Sequence, residues 1–147
     1  MEDGWIYVLM SASNIDRFKV GKTKNHPVAR LKQLRTGDPT LALQVAYFVP
    51  SLLNITLSGL ESHIHQSLTE SHGRLNFFDE TSSEWFAGDV RDAWSELDMI
   101  IEGCELTVTD WYQPGENKVV RYWGGDLEDE YRRRFEPPFE VNSDLWN

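Results

Sequence analysis

Two short β-favouring segments near the N-terminus, separated by a polar turn, constrain the fold of this chain more than any other feature. Gly4 to Met10 carries Trp5, Ile6, Tyr7, Val8 and Leu9 almost without interruption, residue types that suit a pleated strand. Ser11 to Asp16 is polar turn material. Arg17 to Lys22 then alternates charge and apolarity around Phe18 and Val20, as a half-buried strand does. Together they predict an N-terminal hairpin, with Trp5-Ile6-Tyr7 on one arm and Lys19-Val20-Gly21 on the other.

Beyond the hairpin the chain reads as helices and one further core strand. Pro27 suits a first helical turn, where its missing N–H costs nothing. Val28, Leu31 and Leu34 recur at helical spacing and Gly37 supplies a stop. Leu41 to Val49 is apolar and β-branched enough for a third strand. A second helix is expected after Pro50, with Leu53, Leu57, Leu60, Ile64 and Leu68 as its apolar stripe. Gly73 to Phe78 reads as a loop or short strand. Thr81 and Glu84 have capping-box spacing, which predicts a third helix carrying Phe86, Val90, Trp94, Leu97 and Ile101 and ending at Gly103.

The expected fold class is α/β: a small sandwich with a three-stranded central sheet flanked by helices, over residues 1–103. Residues 104–147 form the expected extension. Leu106 to Tyr112 and Lys118 to Trp123 read as strands, and Pro114-Gly115 between them predicts a β-hairpin. An acidic stretch, Arg132-Arg133-Arg134 and an extended segment over 137–147 complete the chain. Cys104 is the single cysteine, so neither an internal disulfide nor a cysteine-based zinc site is expected. It reads as a small half-buried residue, with no signature of a nucleophile around it.

Charge argues two ways. The formal net charge of −10 does not favour a nucleic-acid partner. Yet residues 17–35 carry Arg17, Lys19, Lys22, Lys24, Arg30, Lys32 and Arg35 and no acidic residue, while the acidic excess falls mostly after residue 91. A basic face on an acidic chain allows phosphate contacts; an ordinary solvated face is the alternative, and it is the weaker one because the patch coincides with the strand motifs. No apolar run approaches membrane-spanning length, and the N-terminus lacks the pattern of a secretory signal. A cytoplasmic protein is expected, in a bacterium or a phage-infected host.

The order and spacing of these motifs resemble the GIY-YIG nucleases. That family carries a Gly-Ile-Tyr strand, a turn, a Tyr-Ile-Gly strand, an arginine on the next helix and a glutamate on a later one. Here Trp5-Ile6-Tyr7 is followed by Lys19-Val20-Gly21-Lys22-Thr23, then Arg30, then Glu61. The chain looks most like the bacteriophage-associated branch, in which Lys replaces the second motif's Tyr and a Glu-aromatic-Phe triplet closes the domain, as Glu84-Trp85-Phe86 does here. The resemblance covers roughly residues 4–90.

It implies a site. Tyr7 would activate or orient the attacking water, and Glu61 would bind a divalent metal, magnesium or manganese, which needs few protein ligands because it keeps much of its water. Arg30 has the planar fork suited to phosphoryl oxygens. Lys19 departs from the motif's phenol; as a cation it would hold phosphate or favour ionisation of Tyr7. Gly21 permits close backbone approach. Lys22, Lys24, His65 and Glu84 complete the substrate-binding set. His65 lies one turn after Glu61 and would orient it, contact phosphate or bond structurally. A zinc site from Glu61, His65 and His63 is a weaker idea, since His63 should point elsewhere. His26 and His72 read as helix-start and loop residues.

Each assignment has a plain competitor: a packed strand tyrosine, solvated lysines and arginines, a capping role for Glu84, and core roles for Trp85 and Phe86. The function expected is a metal-dependent endonuclease acting on DNA. The alternatives are a catalytically weak or inactive nuclease-fold module that binds nucleic acid, and a module that binds a protein partner. The acidic C-terminal third, with Trp123, Tyr131, Phe135, Phe139 and Trp146, suggests the last; the same aromatics would equally close the core or a homodimer interface.

Overall fold

The computed structural model describes residues 3–51, 53–76 and 82–135. Its elements in chain order are β1 (Gly4–Ser11), β2 (Asn14–Thr23), α1 (Pro27–Leu34), β3 (Leu41–Val49), α2 (Leu57–His72), β4 (Arg74–Asn76), β5 (Ser82–Ala87), α3 (Val90–Gly103), β6 (Val108–Asp110), β7 (Val119–Trp123) and α4 (Gly124–Phe135). The N-terminal hairpin forms as its alternation requires, with Tyr7 opposite Gly21 and Val8 opposite Val20.

The sheet is larger than expected. Seven strands, not three, join in the order β4-β5-β2-β1-β3-β7-β6. The expected strands β1, β2 and β3 form its centre, and two short strands extend each side. On the β2 side the cause is the segment before α3. Thr81-x-x-Glu84 mimics a helix start, but Glu84, Trp85 and Phe86 lie on β5, whose Phe86 pairs with Phe18 and Trp85 with Lys19. The true cap is Asp89, whose side chain accepts from the Arg91 N–H. Similarly, α2 begins after Thr56, which accepts from the Gly59 N–H at 2.9 Å. Leu53 is buried but precedes the helix.

On the β3 side the expected C-terminal hairpin is also overturned. β7 pairs antiparallel with β3, and β6 pairs with β7 in parallel, Val108 opposite Val119. Residues 111–118 return the chain alongside β6 instead of folding it back against it. Arg121 of β7 fixes this arrangement by bonding both Asp110 of β6 and Asp98 of α3. Residues 124–135, read only as an acidic and basic stretch, form α4. Residues 137–147, expected to be extended, and Phe139 and Trp146 with them, lie outside the described residues.

The sheet has helices on both faces. Ile6, Val8, Phe18, Val20, Val45 and Tyr47 face α2 and α3, packing on Leu60, Ile64, Leu68, Ala93, Leu97 and Ile101. Tyr7, Leu9, Leu43 and Ala46 face α1 and α4, packing on Val28, Leu31 and Leu127. Fully burying one such aliphatic side chain contributes about 1.5–3 kcal/mol, so both layers hold the central hairpin rigid. Trp123 and Tyr131 are packed against these cores, whereas Phe135 is 53% exposed. Among the described residues no helix is long and apolar enough to cross a membrane.

Candidate active site

The site gathers where β2 loses its outer neighbour. Among the described residues β5 pairs with β2 only at Arg17, Phe18 and Lys19. Beyond Lys19 no further β2–β5 pair forms among the described residues, and His65 of α2 reaches Val20 O there.

On the α1 face, Tyr7 and Gly21 are cross-strand partners. The phenol lies over Gly21 so closely that a Cβ there would stand 2.5 Å from Tyr7 Oη. Gly21 is therefore required by close approach, not by a turn. Tyr7 is 2% exposed. Burial raises its phenol pKa above the ordinary value; the nearby Arg30 guanidinium opposes that shift, while the negative charges of Glu84 and Glu61 add to it. Tyr7 thus feels Arg30 from α1, Glu84 from β5 and Glu61 from α2 together. Arg30 Nη1 also donates to Gln33 Oε1 at 3.2 Å.

On the other face, Glu61 is 8% exposed. Lys22 Nζ lies 3.5 Å from its Oε1 and donates to Ser58 Oγ at 3.0 Å. Glu61 Oε2 is buried and has no hydrogen-bond partner among the described residues, a costly state for a carboxylate oxygen unless something else satisfies it. Lys19 Nζ lies 3.5 Å from Glu84 Oε2. Lys24 lines a neighbouring pocket with Lys22, Thr56 and Ser58 at the start of α2.

His65 ties α2 to β2 and β4. Its Nε2 is 2.7 Å from Val20 O. A carbonyl only accepts, so Nε2 carries the hydrogen, and Nδ1 is left as acceptor for Arg74 Nη2 at 3.3 Å. Both ring nitrogens are engaged within the protein. Arg74 was missed by sequence reasoning. It follows the Gly73 that ends α2 and belongs to no motif, yet it lines the same groove as Glu61, His65 and Glu84.

The donor set bears on a metal. Among the described residues no group of three or more His, Cys, Asp or Glu side chains is assembled to hold one. His63 is exposed on α2, so the Glu61, His65 and His63 zinc set does not form. The unsatisfied Glu61 Oε2 fits a hard cation that takes one carboxylate and fills its other positions with water and substrate oxygens.

The fold is an α/β sheet with a charged groove between α2 and the β4–β5 strands. Residues 4–102 match the T5orf172 domain. The chain belongs to that family, which is found in phage and bacterial nuclease-like proteins. No curated protein and no solved structure matches the chain. β6, β7 and α4 lie beyond the matched segment.

Proposed function

We propose that the chain is a divalent-metal-dependent endonuclease that hydrolyses DNA phosphodiester bonds with a GIY-YIG-type site. One observation carries this reading: beside the strand pair that seats the Tyr7 phenol on Gly21, the buried Glu61 Oε2 has no hydrogen-bond partner among the described residues, and Tyr7 feels the charges of Arg30, Glu84 and Glu61. Hydrolysis adds a water oxygen to phosphorus and breaks the bond to the leaving deoxyribose oxygen, which ends protonated. Tyr7 holds and polarises the water, and Arg30 meets the phosphoryl oxygens. Lys19 and Lys22, now paired with Glu84 and Glu61, are cations that an arriving phosphate competes for. Glu61 is the residue that would hold magnesium or manganese. The chemistry such an ion supplies when bound is charge relief on the phosphate and the leaving oxygen.

The test is nicking of supercoiled plasmid with magnesium or manganese by wild type, Glu61→Gln and Arg30→Ala. Each variant is expected to lose at least about a hundredfold in rate. Equal cutting by Glu61→Gln would overturn the catalytic assignment. A second reading, a nuclease-fold module that binds nucleic acid without cutting, is favoured by the Lys22 amine already lying against Glu61. Salt-dependent binding without metal-dependent product would select it.

A further inference from the structure

The groove beside Glu61 continues along α2, and its lining changes character with distance from the carboxylate. Ser62, Gln66 and Thr69 follow at helical spacing on one face of α2. Ser62 and Gln66 are exposed, uncharged hydrogen-bonding groups, and the Thr69 hydroxyl donates to His65 O at 2.7 Å. Across from them stands Arg74, the only cation among the described residues that line this groove. Glu61, Glu70 and Glu84 share the same walls; Lys22 and Lys19 pair with Glu61 and Glu84, and Arg74 is the cation that stands in the groove itself.

Arg74 is held in place before any ligand arrives. Its Nε donates to Ser83 O, its Nη2 donates to His65 Nδ1, and its guanidinium lies 5.8 Å from the Phe86 ring centroid. A planar cation fixed this way loses little freedom on meeting an anion. Through His65 it is coupled to Val20 O, next to Gly21.

We propose that this groove is the track of the phosphodiester strand as it leaves the scissile position, and that Arg74 holds the next phosphate along it. The inference rests on the nuclease reading of the Tyr7 and Glu61 site. From Glu61 to Thr69 the helix rises about 12 Å, enough for more than one backbone phosphate. Ser62 and Gln66 supply neutral donors along that length. The strand is read by its backbone, because the described residues that line the groove are polar or charged, with Arg74 as their one cation.

The experiment is fluorescence anisotropy of a short labelled oligonucleotide, single-stranded and duplex, with calcium replacing magnesium, over a salt series. Arg74→Gln is expected to weaken binding about tenfold and to lower the salt dependence by about one counterion, while Arg74→Lys keeps the slope. Gln66→Glu sits on an exposed helical position and leaves the melting temperature unchanged. It places a like charge on the track and weakens binding about three- to fivefold. In turnover, Arg74→Gln raises KM more than it lowers kcat. Unchanged affinity and slope in both Arg74→Gln and Gln66→Glu would show Arg74 to be a structural rivet. If wild type still cuts in a Glu61-dependent way under that outcome, the track fails and the nuclease reading stands. If wild type binds no nucleic acid, both fall.

Discussion

The phenol of Tyr7 rests on the bare Cα of Gly21, its partner on the adjacent strand, with no room for even a methyl group between them. The two motifs of the hairpin are thus one physical unit: the glycine is the seat of the tyrosine. Gly21→Ala would put a Cβ 2.5 Å from Oη and 2.6 Å from Cζ. Expected is a destabilisation of about 1–3 kcal/mol with cleavage lost beyond what stability explains. Urea unfolding and plasmid nicking measure the two. Tyr7→Ala should relieve the clash, so the double variant is less destabilised than the sum of the singles. Strict additivity would show that the two side chains do not meet.

Legibility followed length and locality. Gly4 to Met10, Leu41 to Val49 and the stripe Leu57, Leu60, Ile64 and Leu68 are long or strongly periodic, and they form as strands and a helix. The segment 82–87 misled because a strand entering a sheet edge and a capped helix start can share the same spacing of Thr and Glu. Only the pairing of Phe86 with Phe18, distant in sequence, decides between them. α4 escaped notice because its mean composition is polar; Leu127 is buried and Tyr131 packs beside it, and those two anchor it. In the cleft, Tyr7, Gly21 and Glu61 stood out by motif. Arg74 did not, since its role depends on His65 and Ser83 reaching it from other elements.

Arg121 ties the C-terminal strands to α3. Its Nη2 donates to Asp110 Oδ1 at 2.6 Å, its Nη1 donates to Asp98 Oδ2, and the rings of Trp94 and Trp123 lie 5.5 and 5.3 Å from the guanidinium. Removing one partner of such a pair leaves the other buried and uncompensated. Arg121→Gln should therefore cost about 2–4 kcal/mol, reduced somewhat from the fully buried case because the network is partly exposed. Asp98 already resists ionisation, chiefly through burial. Asp98→Asn in the Arg121→Gln background should recover part of the loss in thermal denaturation. No recovery would mean that Asp98 is not the stranded charge.

At the start of α3, Asp89 accepts from the Arg91 N–H at 2.9 Å. The Arg91 side chain, and then its N–H, lower the carboxyl from 3.8 to about 2. A folded-state value below the unfolded one means that this contribution is present at neutral pH. It fades as pH falls from about 4 through about 2. Asp89→Asn keeps an acceptor at the cap and should flatten that acid limb in a pH series of melting temperatures. Asp89→Ala should lower the melting temperature at neutral pH as well. Identical acid limbs in wild type and Asp89→Asn would rule the carboxylate out as their source.

Tyr47 governs the alkaline side. It is fully buried, its hydroxyl donates to Asp98 Oδ1 at 2.7 Å, and it lies 3.0 Å from Trp94 O. Burial first, and the Asp98 charge and hydrogen bond next, raise its phenol well above 10. The folded chain therefore keeps this proton at a pH where the unfolded chain has released it. Unfolding then releases a proton, so stability falls as pH rises above about 10, by up to about 1.4 kcal/mol per pH unit. Tyr7, raised in the same direction by burial, adds to the same limb. Tyr47→Phe removes one hydrogen bond, costing about 1 kcal/mol at neutral pH, but it also removes the titrating group. Its urea midpoint should start below that of wild type and converge with it as pH climbs past 10. Curves that stay parallel across that range would show that the Tyr47 proton is not what alkaline unfolding releases.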